Sequence, residues 1–393
     1  IMARYDFVIA GAGLVGLSAA LALTRQGLKG LIFDHGLAPS GASATTQVQG
    51  LDRSPRVSAI NPVSVNFLTQ LGVDPAFFDQ AGCAVSGMTV WDGDGSGELS
   101  LPSAGYIIEN HRLLNAVFNA ICQPSIAEAL TQQFEVGIVD LQQNDATVSI
   151  TLTTGETIES GLLIGADGSA SRTRDLLGIR SVAWRYDQTA LVCVSETALP
   201  HQGIARQSFT PEGPLAFLPL PEPNHSVLVW SSTQAQAQLH CSEKEFAAMV
   251  SVHSVRPLGP VTAIGARAVF PLQQQHAIRY AKGRSVLVGD AAHSIHPLAG
   301  QGLNLGFADV VSLSQAIENL RLDQRQSLSE ALRRYEAQRR PVNLRMTAAT
   351  DLLKRVFDPP SPLLRLARST GMRWLQNQTR LKQALSLAAA GHL

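Results

Sequence analysis

The stretch from Tyr5 to Asp34, YDFVIAGAGLVGLSAALALTRQGLKGLIFD, is the reading on which the fold turns. Tyr5 to Ala10 is a short apolar run suited to a buried parallel strand. It enters Gly11-Ala12-Gly13-Leu14-Val15-Gly16, a helix-period stretch follows from Leu17 to Gln26, and a second apolar run, Gly30 to Phe33, ends at Asp34. Each glycine has a reason: Gly11 permits the tight turn, Gly13 lets a pyrophosphate approach the backbone, and Gly16 lets helix and strand pack closely. A helix starting there offers a phosphate unpaired N–H groups and a partial positive charge, worth about 0.3 to 1 kcal/mol per contact. Asp34, about twenty residues past the glycines, suits a ribose 2′-hydroxyl and repels a 2′-phosphate, which excludes NADP from this pocket but not NAD. Such a fingerprint alone is weak, because glycine-rich turns join many strands to helices with no ligand present. Strand, turn, helix, strand and acid in order make the ligand-free turn the poorer reading.

A second half of a nucleotide site stands far along the chain, in GRSVLVGDAAHSIHPLAGQGLNLGFAD from Gly283 to Asp309. Ser285 to Val288 is a strand that delivers the Asp290 carboxylate at its end, suited to accept hydrogen bonds from a ribityl chain. Pro297-Leu298-Ala299-Gly300-Gln301-Gly302-Leu303-Asn304 then opens a helix whose N–H groups stabilise charge at the N1/O2 edge of a reduced flavin. A dinucleotide with an adenosine pocket and a remote ribityl pocket is FAD, and NAD needs no such second site. Between the halves, LIGADGSASRTR from Leu163 to Arg174 brings Asp167, serines and arginines toward a pyrophosphate neighbourhood. Either Arg172 or Arg174 can point inward, and in isolation the motif reads as a plain turn with a solvated arginine.

The 393 residues suffice for two domains, and the 45% apolar content with zero net charge gives no electrostatic argument for nucleic acid. Four scattered cysteines without CxxC spacing, and a first strand entered almost at once, predict a cytoplasmic protein without signal peptide or membrane span. Helices are expected at Val63 to Leu71, Arg112 to Cys122, Glu243 to Val250, Val310 to Leu320, Leu328 to Arg340 and Leu344 to Phe357. A three-stranded meander is expected over Phe134 to Ile164. Trp184 to Phe270 is rich in Val, Leu, Phe and Ser with scattered prolines, which predicts a mainly antiparallel second domain. The fold class is therefore α/β, a Rossmann-like FAD-binding domain interrupted by a mainly antiparallel β substrate domain and followed by C-terminal helices. The boundaries are 1–72, 105–180 and 266–350 for the FAD-binding domain, 73–104 and 181–265 for the substrate domain, and 351–393 for the C-terminal helical segment. Gly93-Asp94-Gly95-Ser96-Gly97 lacks a strand before it and a helix after it and reads as a polar loop. NAD(P)H therefore has no permanent pocket.

GAGLVG with Asp34, GADGSASRTR and GDAAHSIHPLAGQGLNLGFADV together resemble the FAD-dependent aromatic hydroxylases of the para-hydroxybenzoate hydroxylase superfamily. RVSAIN at Arg56, IENHRLL at Ile108, FTPEGPLAFLPLP from Phe209 and LRRYEAQRRPVNLRMTAATDLLKRVF resemble, more closely, the bacterial ubiquinone-biosynthesis hydroxylases. The likeness runs from Tyr5 into the C-terminal helices. Asp34 stands where many relatives carry Glu, and the linker from Ser40 to Leu51 matches nothing in the family pattern. The resemblance implies that Gly11, Gly13, Gly16 and Asp34 hold the adenosine diphosphate, with Arg112 near the pyrophosphate. Asp290 would hold the ribityl chain, and Gly300, Gly302, Leu303 and Asn304 would underlie the flavin ring. Arg56 would lie near flavin and substrate, and Asp167 would serve both FAD and the nicotinamide dinucleotide. The Pro297 carbonyl and a wall of Phe217, Leu218 and Pro219 are the expected contacts near the reacting ring.

The implied reaction is flavin reduction by transient NAD(P)H, O2 addition at flavin C4a to a hydroperoxide, and oxygen transfer to an activated phenol, with no essential general base expected. The implied substrate is a polyprenyl phenol of ubiquinone biosynthesis. The alternatives are a flavin hydroxylase of a small soluble aromatic and a noncatalytic flavoprotein scaffold of a biosynthetic complex, which the intact Gly302-Leu303-Asn304 run disfavours. His293-Ser294-Ile295-His296 has a spacing a metal can use but lacks a third ligand, so no metal is expected. The basic, leucine-bearing segment 361–393 reads equally as a solvated helix face or as a contact with the inner-membrane surface or a partner.

Overall fold

The computed structural model describes residues 4–39, 50–92, 97–295, 302–320, 322, 325–357, 370–371, 373–380 and 382–383. β1 (Arg4–Ala10), α1 (Leu14–Arg25) and β2 (Gly30–Phe33) form the expected strand, helix and strand. β1 and β2 are parallel, with Phe7 opposite Gly30 and Ala10 opposite Phe33. All of β2 is buried, which is why these strands read as continuous apolar runs rather than as an alternation.

The sheet has eight strands, and its main path runs Ala281–Lys282, Ser285–Leu287, Thr157–Gly165, β1, β2, Leu130–Gln133. Strands Ile138–Gln143 and Val148–Leu152 join Thr157–Gly165 antiparallel as the expected meander. Thr157–Gly165 and Ser285–Leu287 run parallel to β1, and their register sets Ala10 level with Gly165 and Gly165 level with Leu287. The carboxyl ends of three strands distant in sequence therefore meet at one edge. Open α/β sheets bind nucleotides at such an edge.

A nine-stranded, mostly antiparallel sheet forms the second layer, with Ser181–Thr197, His225–Ser232, Gly213–Pro219 and Ile204–Thr210 at its centre. Gly87–Asp92 and Glu98–Pro102 extend it. Ala268–Ala277 and His293–Ser294 also belong to this sheet, so residue 266 falls between two of its strands, Val261–Ile264 and Ala268–Ala277, an arrangement that tertiary contact, not composition, decides. Helices Ala235–His240 and Glu243–Leu258 cover one face, where Phe246 of the second helix packs with Phe217 and Trp230 of the sheet.

Helix Gly302–Ile317 packs on α1, and helix Arg325–Phe357 packs on it in turn. Two helices were expected where Arg325–Phe357 runs through Pro341 unbroken. A proline removes the N–H that would bond the carbonyl of Ala337 and crowds that carbonyl, and the burial of Leu332, Tyr335, Asn343 and Thr347 on both sides offsets the cost. Among the described residues no helix is long and apolar enough to cross a membrane.

These elements are joined by one carboxylate. Asp309, fully buried, accepts from the Gly289 N–H (3.1 Å) and His293 Nε2 (2.5 Å) on one oxygen, and from Arg339 Nε (2.8 Å) and Asn343 Nδ2 (3.0 Å) on the other. Burial by itself pushes its pKa up, and His293 and Arg339 more than offset this, holding it below the usual carboxylate range. A carboxyl with a depressed folded pKa stabilises the protein above the ordinary carboxylate pKa, and that contribution is lost as pH falls through the folded value. Asp309→Asn is expected to cost about 3 to 5 kcal/mol, because it leaves Arg339 buried without its counter-charge. The measurement is the urea midpoint at neutral and acid pH, and the variant should also lose the part of the acid dependence that Asp309 supplies.

Candidate active site

The glycine turn is built as its spacing implies. Gly11 has φ +105°, and a Cβ there would stand 2.4 Å from the Ala166 carbonyl oxygen. A Cβ on Gly16 would stand 1.9 Å from the Gly11 carbonyl oxygen, so helix and turn touch. Gly13 differs, since a Cβ there meets nothing within 4 Å. It is also the N-cap of α1 and makes no side-chain cap, so the turn is open at the point where a pyrophosphate needs backbone N–H groups. Asp34 accepts from the N–H of Ala12 (2.6 Å) and of Gly36 (2.7 Å), which holds an acceptor-only carboxylate beside the turn, as ribose hydroxyls require.

The far half of the site lies against this turn. Cβ atoms built at Gly289 and Gly306 fall 3.2 and 2.6 Å from Val15 methyl carbons, so the short turn bearing Asp290 and helix Gly302–Ile317 both rest on the start of α1. Gly306 carried no signal in the sequence, because its neighbour Val15 is distant along the chain. Asp290 is accessible to solvent although protein surrounds it, as at the floor of a cleft. That environment raises its pKa, first by desolvation, with Asp309 adding to the rise and His293 opposing it. Asn304 donates from Nδ2 to the Ala59 carbonyl (2.8 Å) and accepts the Asn61 N–H on Oδ1 (3.1 Å), tying the helix start to the strand Val57–Ile60. Gly302 and Leu303 open the same helix. His296, Pro297 and Gly300 lie outside the described residues, as do Ser40 to Gln49 of the linker and Gly93 to Ser96 of the polar loop.

In the middle motif both Asp167 oxygens serve their own loop, accepting from Ser171 Oγ (2.5 Å) and the Thr173 N–H (2.8 Å). Of the two arginines, Arg172 is exposed and Arg174 is buried. Arg174 donates to the carbonyls of Ser169 (2.9 Å) and Ala291 (3.0 Å), which ties this loop to the segment bearing Asp290. Arg56 is exposed and stacks on Phe270 with 4.7 Å from Cζ to the ring centroid. Arg112 donates to the Ala81 carbonyl (2.9 Å) and stands 3.9 Å from Glu109. That glutamate also faces buried Arg53 at 3.8 Å, and Arg53 reaches Glu222 of the second layer at 2.8 Å. Sequence reading missed Arg53 and Glu222, whose pairing across 169 positions leaves no local pattern.

A cavity of about 250 Å³ lies between the two layers. Ala59, Asn61 and Asn304 line it from the side of strand Val57–Ile60 and helix Gly302–Ile317, and Ala216, Leu218 and Val229 from the second sheet. Of the expected wall, Leu218 lines the cavity, whereas Phe217 and Pro219 do not. Side chains alternate along a strand, so Pro214, Ala216 and Leu218 face one way and Phe217 is buried on the other face beneath the covering helices. Arg206 and Ser231 add polar groups to the lining. Arg206, itself buried, donates to the carbonyls of His201 (2.7 Å) and Ile204 (3.2 Å).

The residues present fit an FAD: an open backbone cradle, a braced carboxylate for ribose, and a second carboxylate with a helix start beside a cavity. Substituting the two glycines separates packing from ligand approach. Gly16→Ala is expected to push α1 off the turn and to weaken FAD affinity about tenfold or more. Gly13→Ala should leave the flavin-free protein within about 0.5 kcal/mol of wild type and still weaken FAD, because only the ligand needs that space. FAD titration by fluorescence quenching, with melting of the flavin-free proteins, reads both.

Comparison with known proteins shows the family. Residues 4–350 match the FAD binding domain family. The 3-demethoxyubiquinol 3-hydroxylase of Escherichia coli is 34% identical over 98% of this chain and 98% of its own. The mitochondrial ubiquinone biosynthesis monooxygenase COQ6 of Rattus norvegicus is 32% identical over 98% of this chain and 91% of its own. Among solved structures, the p-nitrophenol 4-monooxygenase PnpA of Pseudomonas putida DLL-E4 superposes with a TM-score of 0.78 at 18% identity, covering 98% of both chains, and shows the fold. The family match over residues 4–350 and near full-length kinship above 30% identity place the chain among the FAD-dependent monooxygenases of ubiquinone biosynthesis.

Proposed function

We propose that the protein hydroxylates the aromatic ring of a polyprenyl phenol or quinol intermediate of ubiquinone biosynthesis, with NAD(P)H as reductant and O2 as oxygen source. The observation that carries this reading is the mainly apolar cavity between Asn304, at the start of the flavin-side helix, and the second sheet. Bound FAD supplies hydride acceptance from NAD(P)H and the activation of O2. Gly11, Gly13, Gly16 and Asp34 would hold its adenosine diphosphate, and Asp290 its ribityl chain. Gly302, Leu303 and Asn304 would lie under its ring. The apolar lining excludes water from the reacting centre. Arg206 places a cation at the cavity, which lowers the cost of ionising a substrate hydroxyl and so activates the ring.

Size bears on the substrate. A cavity of about 250 Å³ accommodates a substituted ring and little more. Burying a five-carbon prenyl unit is worth roughly 3 to 4 kcal/mol at about 0.8 per carbon, so the remaining tail stays in a lipid phase or against a partner. Purified enzyme should couple NAD(P)H oxidation to hydroxylation of short-chain prenyl phenols in preference to simple hydroxybenzoates. Equal coupling with both would favour the small-aromatic hydroxylase, for which the cavity volume also suffices, and NAD(P)H consumption unstimulated by any phenol would favour the scaffold.

The segment 361–393 is proposed as the contact with the membrane or a biosynthetic partner. Trp374, 57% exposed, is the apolar group it presents among the described residues. In liposome flotation the full chain is expected to rise with anionic vesicles and a chain ending at residue 360 to rise less. Equal, negligible flotation of both would remove the segment from the reading.

A further inference from the structure

A second pocket, of about 480 Å³, lies on the outer edge of the eight-stranded sheet, where Ala281–Lys282 meets helix Arg325–Phe357. The helix contributes Ser329, Arg333, Glu336 and Arg340, which recur on one face at helical spacing. The strand side contributes Arg279 and Lys282. Four cationic side chains thus face one carboxylate in a chain whose net charge is zero.

That carboxylate is already engaged. Glu336 Oε2 accepts the N–H groups of Tyr280 (3.0 Å) and Ala281 (2.9 Å), which fixes it against the backbone. Lys282 donates to the Leu177 carbonyl at 2.5 Å, a partner that leaves its charge uncompensated. Arg279 and Arg333 are exposed. Arg340 is half-buried and lines the pocket. Guanidinium forks match the oxygens of a phosphate, and two arginines separated by two helical turns can take one group from both ends.

We infer that this pocket is a binding site for a phosphate group, separate from the FAD cradle. Two strands stand between Ala281–Lys282 and β1, which at about 4.8 Å per step sets the pocket's edge strand about 14 Å from the strand that ends in the glycine turn. The phosphate can belong to a soluble ligand or to a lipid headgroup. In either case binding weakens with salt, because exposed charges are screened beyond about 8 Å at physiological ionic strength.

The test uses the FAD-saturated protein, so that the pyrophosphate cradle is filled. Calorimetric titration with inorganic phosphate at low ionic strength is expected to show one saturable site. Arg333→Glu, an exposed position with no part in the flavin site, should weaken it about tenfold or more, and Arg333→Lys should recover most of the loss. The pair Arg279→Glu with Arg333→Glu should abolish binding while leaving the melting temperature and the flavin spectrum unchanged. Phosphatidylglycerol vesicles that compete with phosphate, where phosphatidylcholine vesicles do not, assign the site to a lipid headgroup. Phosphate binding indifferent to both vesicles assigns it to a soluble ligand. No saturable binding to the wild type, or wild-type affinity in the double variant, overturns the site.

Discussion

The structure depends on a buried carboxylate that must be satisfied from four directions. Asp309 takes hydrogen bonds from Gly289, His293, Arg339 and Asn343, groups carried by a strand end, a short strand of the second sheet and the last long helix. An ionised carboxylate stays inside a protein only with such a set, so each donor is held in position by the penalty for losing it. The constraint reaches the site directly, because Gly289 precedes Asp290. The same network extends through Asn343 to the Tyr280 hydroxyl (3.3 Å) and on to His276 Nε2 (3.1 Å), linking both sheets.

Close approach is the second constraint. Gly11 against Ala166, Gly16 against Gly11, and Gly289 with Gly306 against Val15 bring three strand ends and two helix starts within a methyl group of one another. That contact brings the separate fingerprints together at one end of the sheet. Arg174 and Asn304 then fasten the loops by bonding backbone carbonyls, which are available wherever the chain passes. The substrate cavity follows from geometry of another kind. It lies where the second sheet faces the start of helix Gly302–Ile317, and the pleat decides which side chains enter it.

Much of this was legible in the chain. β1, α1 and β2 announce themselves by period and glycine spacing because both are local properties, and Asp34 and Asp290 by their place at the ends of apolar runs. The meander was legible for the same reason. Leu218 and Phe217 were not separable, since an apolar run buried on both faces has no alternation to read. The choice of Arg174 over Arg172 needed the Ala291 carbonyl, far off in sequence. Pro341 misled because the local rule for proline ignores the buried contacts on either side of it.

Alone, the sequence determined the nucleotide-binding fold, the identity of its cofactor and the family. Those rest on residue types at fixed short spacings, where backbone geometry leaves few alternatives. Only the tertiary structure decided which faces line the cavity, how Asp309 is satisfied, that Arg53 meets Glu222, and that four cations gather at the sheet's edge. Each of these joins groups that folding brings within a few ångströms, and no local pattern along the polymer records such proximity.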